Sequence, residues 1–96
     1  MKIYDKAAWH IDGGENKSDV MFRFREVFEF LDEKGMLNAE GKETLEYGLD
    51  SSISLNSTMV TKEGKLFLET CYDKVISINL KNIKKILSVE YSSFKE

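Results

Sequence analysis

Met36-Leu37-Asn38-Ala39-Glu40-Gly41-Lys42-Glu43-Thr44-Leu45-Glu46-Tyr47-Gly48-Leu49-Asp50 aligns without a gap on Met59-Val60-Thr61-Lys62-Glu63-Gly64-Lys65-Leu66-Phe67-Leu68-Glu69-Thr70-Cys71-Tyr72-Asp73. The methionine, the Glu-Gly-Lys triplet, a leucine-glutamate pair and the final aspartate coincide. Each copy reads as a helix start: an apolar pair, then Asn38 or Thr61 as N-cap, then Glu40 or Glu63 in the first turn, where the helix dipole favours an anion. The repeat therefore predicts helices near 39–47 and 62–73. Two copies fall short of the roughly three that a solenoid needs. The second copy also admits a hairpin, because Leu66-Phe67-Leu68 and Val75-Ile76-Ser77-Ile78 flank a Tyr72-Asp73-Lys74 turn, and short apolar runs do not separate strand from helix by period. Helix is preferred, since the first copy is poor in strand formers yet shares the same start.

Upstream, Val20, Phe24, Val27, Phe28 and Leu31 form one apolar stripe and predict a helix over 18–34, with Ser18 as N-cap, Asp19 in the first turn and Gly35 as its stop. Asp19–Arg23 is an i, i+4 pair along it in the favourable order, acid first, and Arg25–Glu29 has the reverse order. Downstream, Leu80, Ile83, Leu87, Tyr91 and Phe94 recur at helical spacing behind an Asn79 N-cap. Residues 1–16 are less regular: Asp5–Ile11 reads as a turn of helix ended by Asp12-Gly13-Gly14. The serine-rich stretch 49–58 reads as the longest loop. The expected fold is all-α, a small bundle of about four helices with an irregular N-terminal segment, the alternative being α+β with a hairpin at about 65–78.

The chain has 96 residues, 42% of them hydrophobic, which fits one domain spanning 1–96 and leaves no room for a second core. A domain this small buries only about 60–65% of its unfolded surface, so a second copy or a partner would add what the core lacks. Cys71 is the only cysteine, which rules out an intramolecular disulfide and makes a reducing cytoplasm the expected location. The start lacks the apolar core of a secretory signal, and no run approaches the roughly 18 apolar residues of a membrane span. The net charge of −3 argues against a dedicated nucleic-acid binder. It is unevenly placed: residues 1–50 carry −5 and residues 51–96 carry +2, an asymmetry best satisfied by the first long helix packing near the last.

Trp9-His10-Ile11-Asp12-Gly13-Gly14-Glu15 is the densest polar cluster. His10 with Asp12 or Glu15 has the makings of an acid/base pair, but His10 is the only histidine, so a multi-histidine zinc site is excluded within one chain. A Trp9 anchor followed by a turn is the simpler reading. Cys71, between Phe67 and Val75, reads as core rather than as a nucleophile. No Gly-x-Ser-x-Gly elbow surrounds Ser51, Ser52 or Ser54, and Gly13-Gly14 lacks the ending of a phosphate loop. Gly41 and Gly64, each at the third position of a predicted helix, read as points of close packing before they read as anion sites. No catalytic residue, metal or cofactor is therefore assigned, and a small enzyme using His10 with Asp12 or Glu15 is kept as an alternative.

Two surfaces stand out. Phe22 lies about 200° round the helix from Val20, at about 100° per residue, beside Glu26, Glu29 and Glu33. An aromatic within an acidic face suits a protein partner with a basic, grooved surface. Lys81, Lys84 and Lys85 line one side of the last helix, where phosphate contact is the less economical reading than a solvated face.

The two Leu/Val-Asn/Thr-x-Glu-Gly-Lys segments resemble the Leu-Thr-x-Glu-Gly helix start of winged-helix transcription regulators. More broadly, Trp9–Glu15 followed by Gly41-Lys42-Glu43, Gly48-Leu49-Asp50 and Ser54-Leu55 resembles small uncharacterised bacterial proteins, some of which look like immunity proteins of polymorphic toxin systems. That resemblance implies a non-enzymatic cytoplasmic binder. The expected function is therefore a protein-binding module, possessing either a protein partner or a second copy of itself, with no membrane and no nucleic acid. The alternatives are a winged-helix-like nucleic-acid regulator and a small enzyme built on His10.

Overall fold

Three polar side chains cap three of the helices of this protein. A computed structural model of the chain describes residues 1–76 and 83–96, with the backbone alone at 73–76. Its elements are β1 (Ile3–Lys6), α1 (Ala7–Asp12), α2 (Lys17–Glu33), α3 (Ala39–Tyr47), β2 (Ser54–Asn56), a 3-10 turn (Ser57–Met59), α4 (Lys62–Ile76) and α5 (Ile83–Lys95). The Asn16 side chain caps α2 by accepting from Asp19 N–H at 3.2 Å, Asn38 caps α3 through Gly41 N–H at 3.0 Å, and Thr61 caps α4 through Gly64 N–H at 3.1 Å. The cap of α2 is thus Asn16 rather than Ser18, because Asn16 keeps the extended backbone a cap requires while Ser18 lies inside the first turn. At the other end Gly35 takes φ +69°, and Gly35 and Met36 donate back to Asp32 and Leu31 at 3.1 and 2.8 Å. This is the paired closure that stops a helix at glycine.

The repeat has a structural meaning. Leu37 and Val60 form an antiparallel bridge, Asn38 N–H donates to Met59 at 3.0 Å, and Thr61 N–H donates to Met36 at 2.9 Å. The two copies hold each other reciprocally, so identical starts launch α3 and α4 from one short bridge. Both helices form as the repeat predicts, and the hairpin alternative is set aside over 65–76; residues 77 and 78, like Asn79, Leu80 and Lys81, lie outside the described residues.

The bundle is mostly α. The N-terminal segment contributes the short α1 and also a strand that the sequence reading lacked: β1 pairs antiparallel with β2, with Ile3 opposite Asn56 and Lys6 opposite Ser54, and a bulge between Ile3 and Asp5. The stretch 49–58 is accordingly part loop, part strand and 3-10 turn. In that strand Leu55 enters the core, and the neighbouring Asn56, also buried, caps the 3-10 turn by accepting from Thr58 N–H at 3.0 Å.

The α2 stripe of Val20, Phe24, Val27, Phe28 and Leu31 is wholly buried, joined by Phe30, and Ile83 and Leu87 of α5 lie in the same core. Beside them Phe30, Phe67, Tyr91 and Phe94 form an aromatic cluster with neighbouring ring centroids 5.5 to 6.4 Å apart, mostly edge to face. No described helix is long and apolar enough to cross a membrane.

Candidate functional site

Phe22 is 53% exposed on the outer face of α2, as its position round the helix predicts. Its acidic neighbours are not all available. Lys84 of α5 reaches Glu26, Glu29 and Glu33 at 3.4 to 3.5 Å, so one ammonium serves three carboxylates and the ridge keeps a negative excess. Desolvation pulls Lys84 down, but hydrogen bonds to Glu33 and Glu29 and the charge of Glu26 outweigh it and leave its pKa raised. The expected packing of the acidic first long helix against the basic last one is realised here. It also means that Arg25–Glu29 gives way to Lys84–Glu29, because α5 brings a cation that meets three acids at once. Of the predicted basic side of α5, Lys84 is spent internally and Lys85 stays exposed.

The cluster at 9–15 divides. Trp9 and Asp12 point outward, with the Lys6 ammonium 5.8 Å from the Trp9 ring centroid. His10 turns inward and stands between two carboxylates, its Nε2 2.6 Å from Asp5 Oδ1 and its Nδ1 2.7 Å from Glu15 Oε2. Asp5 also accepts from the Tyr72 hydroxyl at 2.8 Å and from Lys6 N–H at 2.9 Å. Burial, then the Asp5 charge and hydrogen bond, hold Tyr72 well above the usual tyrosine range. Glu15 Oε1 meets Arg23 Nη1 at 3.5 Å. Asp5 is 1% and Arg23 3% exposed, and Arg23 Nε and Nη2 are buried without a hydrogen-bond partner.

Asp12 therefore has no part in the His10 arrangement, while Asp5, Arg23 and Tyr72, which sequence reasoning missed, are members of it. Arg23 leaves the predicted pair with Asp19 because its side chain is buried, where Glu15 is the acid within reach. Asp5 sits before a helix in a short strand whose partner lies about fifty residues on, which hides it from local pattern reading. Among the described residues no three His, Cys, Asp or Glu side chains converge on a metal position. Cys71 is buried in the core on α4.

A third feature is an open groove of about 610 Å³ between α3 and the 48–54 segment, lined by Glu40, Glu43, Tyr47, Asp50, Ser52 and Met59 among others. Tyr47 is 83% exposed at its rim. The Asp50 carboxyl lies below the usual range because the Ser52 hydroxyl and N–H both donate to it. Gly41 and Gly64 do not present an anion site: their N–H groups are taken by the Asn38 and Thr61 caps.

Compared with known proteins, the chain matches no family model, no curated protein and no solved structure.

Proposed function

We propose that this chain is a non-enzymatic module that binds another protein through the face of α2 that carries Phe22. The observation that carries this reading is the half-exposed Phe22 ring on a helix whose opposite face supplies the core, bordered by Glu26, Glu29 and Glu33 with a single lysine among them. Removing such a ring from water rewards a partner with an apolar pocket, and the acidic excess selects one with a basic rim. The resemblance to immunity proteins makes the specific form an immunity or regulatory protein that engages a bacterial protein in the cytoplasm. The alternatives have less support: Lys84 is occupied by carboxylates, which weakens a phosphate-binding α5, and both His10 nitrogens are engaged, which leaves neither for a substrate.

The test is native mass spectrometry of the tagged full chain recovered from its host's lysate, beside Phe22→Ala. A stoichiometric second polypeptide held by the wild type and lost from Phe22→Ala, with thermal stability unchanged within about 0.5 kcal/mol, supports the assignment. A complex that Phe22→Ala retains overturns it. Charge reversal at Glu26 or Glu29 is unsuitable as a probe, because it would set a cation against Lys84.

A further inference from the structure

Gly41 and Leu45 turn α3 toward the interior, and on its other side Glu40, Glu43 and Tyr47 follow i, i+3, i+7 spacing and form one stripe. That stripe is one wall of the open groove of about 610 Å³, and Asp50 and Ser52 stand in the other. Among the described residues three carboxylates line it, those of Glu40, Glu43 and Asp50, and no lysine or arginine does. Elsewhere the chain answers its acids itself: Lys84 serves Glu26, Glu29 and Glu33, Lys95 serves Glu63 and Lys2 serves Glu69. In the groove the donors among the described residues are neutral. Thr58 Oγ1 donates to Glu40 Oε2, and the Ser52 hydroxyl and N–H both donate to Asp50 Oδ1, which leaves Glu40 Oε1, Asp50 Oδ2 and both oxygens of Glu43 without a donor. The charge of Lys17 reaches Asp50 only as the weakest of the influences on it. Tyr47 stands apart from the other tyrosines in the same way. Tyr4, Tyr72 and Tyr91 donate their hydroxyls to Glu69, Asp5 and Glu63, whereas Tyr47 is 83% exposed and has neither a hydroxyl partner nor a ring contact among the described residues.

We propose that the groove between α3 and the 48–54 segment docks an arginine of a basic segment of a protein partner, its guanidinium against the Tyr47 ring and its N–H donors toward Glu43 and Asp50. Charge selects a cation, and the arrangement selects which one. A metal ion does not fit, because among the described residues no three acids converge on a metal position. A guanidinium does. It is planar, stacks on an aromatic face and spreads five donors over several carboxylates, whereas an ammonium is a compact, strongly hydrated point charge. Sites for small molecules are concave and mostly apolar. This groove is open and lined largely by polar and charged side chains, which suits a side chain carried on a partner's backbone. Tyrosine and arginine are also the residues on which binding energy concentrates in protein interfaces. The site lies on α3 and does not include Phe22, so it goes beyond the α2 reading and stands or falls without it.

The experiment titrates the full chain, followed by 1H–15N NMR, with a capped Gly-Arg-Ser-Arg-Gly peptide up to about 10 mM, and with the same peptide carrying lysine or the neutral isostere citrulline in place of arginine. The expected result is a saturating shift of amides in α3 and the 48–54 segment, strongest with arginine, weaker with lysine and absent with citrulline. Tyr47→Ala and the double variant Glu43→Gln, Asp50→Asn should each weaken binding about tenfold or more. Both change exposed positions, and the spectrum of each variant reports directly that it is folded. Phe22→Ala should bind the arginine peptide as the parent does, which separates this site from the α2 face. Absence of any shift, shifts that spread to the Glu26, Glu29 and Glu33 ridge, a citrulline peptide that binds as well as arginine, or undiminished binding by Tyr47→Ala overturns the proposal.

Discussion

The Met59 carbonyl oxygen occupies the place a Cβ on Gly41 would take, and the Met36 carbonyl stands 2.8 Å from where a Cβ on Gly64 would lie. Each glycine packs against the backbone of the other repeat copy, so the Glu-Gly-Lys triplet recurs because two helix starts must approach one bridge closely. Alanine in a helix is ordinarily favoured over glycine by about 1 kcal/mol. Here Gly41→Ala and Gly64→Ala should instead destabilise by about 1–3 kcal/mol, Gly41→Ala the more. Urea unfolding measures both; an alanine variant as stable as the parent would show that the backbones are not in forced contact.

Tyr72→Phe removes the hydroxyl that donates to the nearly inaccessible Asp5 and should cost about 1–3 kcal/mol. The pH dependence has a definite sign. The folded-state pKa of Tyr72 is raised, so its contribution is fully present below about pH 10, the ordinary tyrosine value, and is lost as pH rises through the folded value. Denaturation curves should fall more steeply for the parent than for Tyr72→Phe as pH rises above about 10, and parallel curves would count against the bond.

Lys84→Met leaves Glu26, Glu29 and Glu33 facing one another without a cation. The pairs are partly exposed, so the loss should stay within about 1 kcal/mol. It should be larger at low than at high ionic strength, because salt screens the uncovered repulsion. A loss independent of salt would mean that the aliphatic stem of Lys84, not its charge, holds α5 to α2.

Phe67→Ala opens the aromatic cluster with Phe30, Tyr91 and Phe94 and should cost about 3–5 kcal/mol. Leu66→Ala, one residue earlier and exposed, should stay within about 0.5 kcal/mol. Equal effects at the two positions would contradict the helical phase of α4 by thermal or chemical unfolding alike.

Local chemistry was enough for much of the fold. The buried stripe of α2, the stop at Gly35, the caps at Asn38 and Thr61, the described part of the α5 stripe and the exposure of Phe22 all follow from residues within a few positions of one another, where spacing and capping preferences act. The shift of the α2 cap from Ser18 to Asn16 is the limit of that method, since two good cap residues stood two positions apart and backbone conformation chose between them. The strand at 54–56 had a signal in the Ile53-Ser54-Leu55-Asn56 alternation, but three residues of period two are too short to stand against a serine-rich loop.

The sequence by itself determined that α3 and α4 start alike, that α2 and α5 are amphipathic, and that acid is concentrated in one half and base in the other. Only the tertiary structure decided which acid meets which base. Arg23 was free by spacing to pair with Asp19 and is taken inward to Glu15; Glu29 goes to Lys84 rather than Arg25; His10 is held by Asp5 and Glu15 and leaves Asp12 in water. Local pairing is worth a few tenths of a kcal/mol on an exposed helix. Burying a side chain that still carries charge costs far more unless a partner of opposite sign goes with it, so the chain packs first and its charges pair with whatever the packing brings within reach.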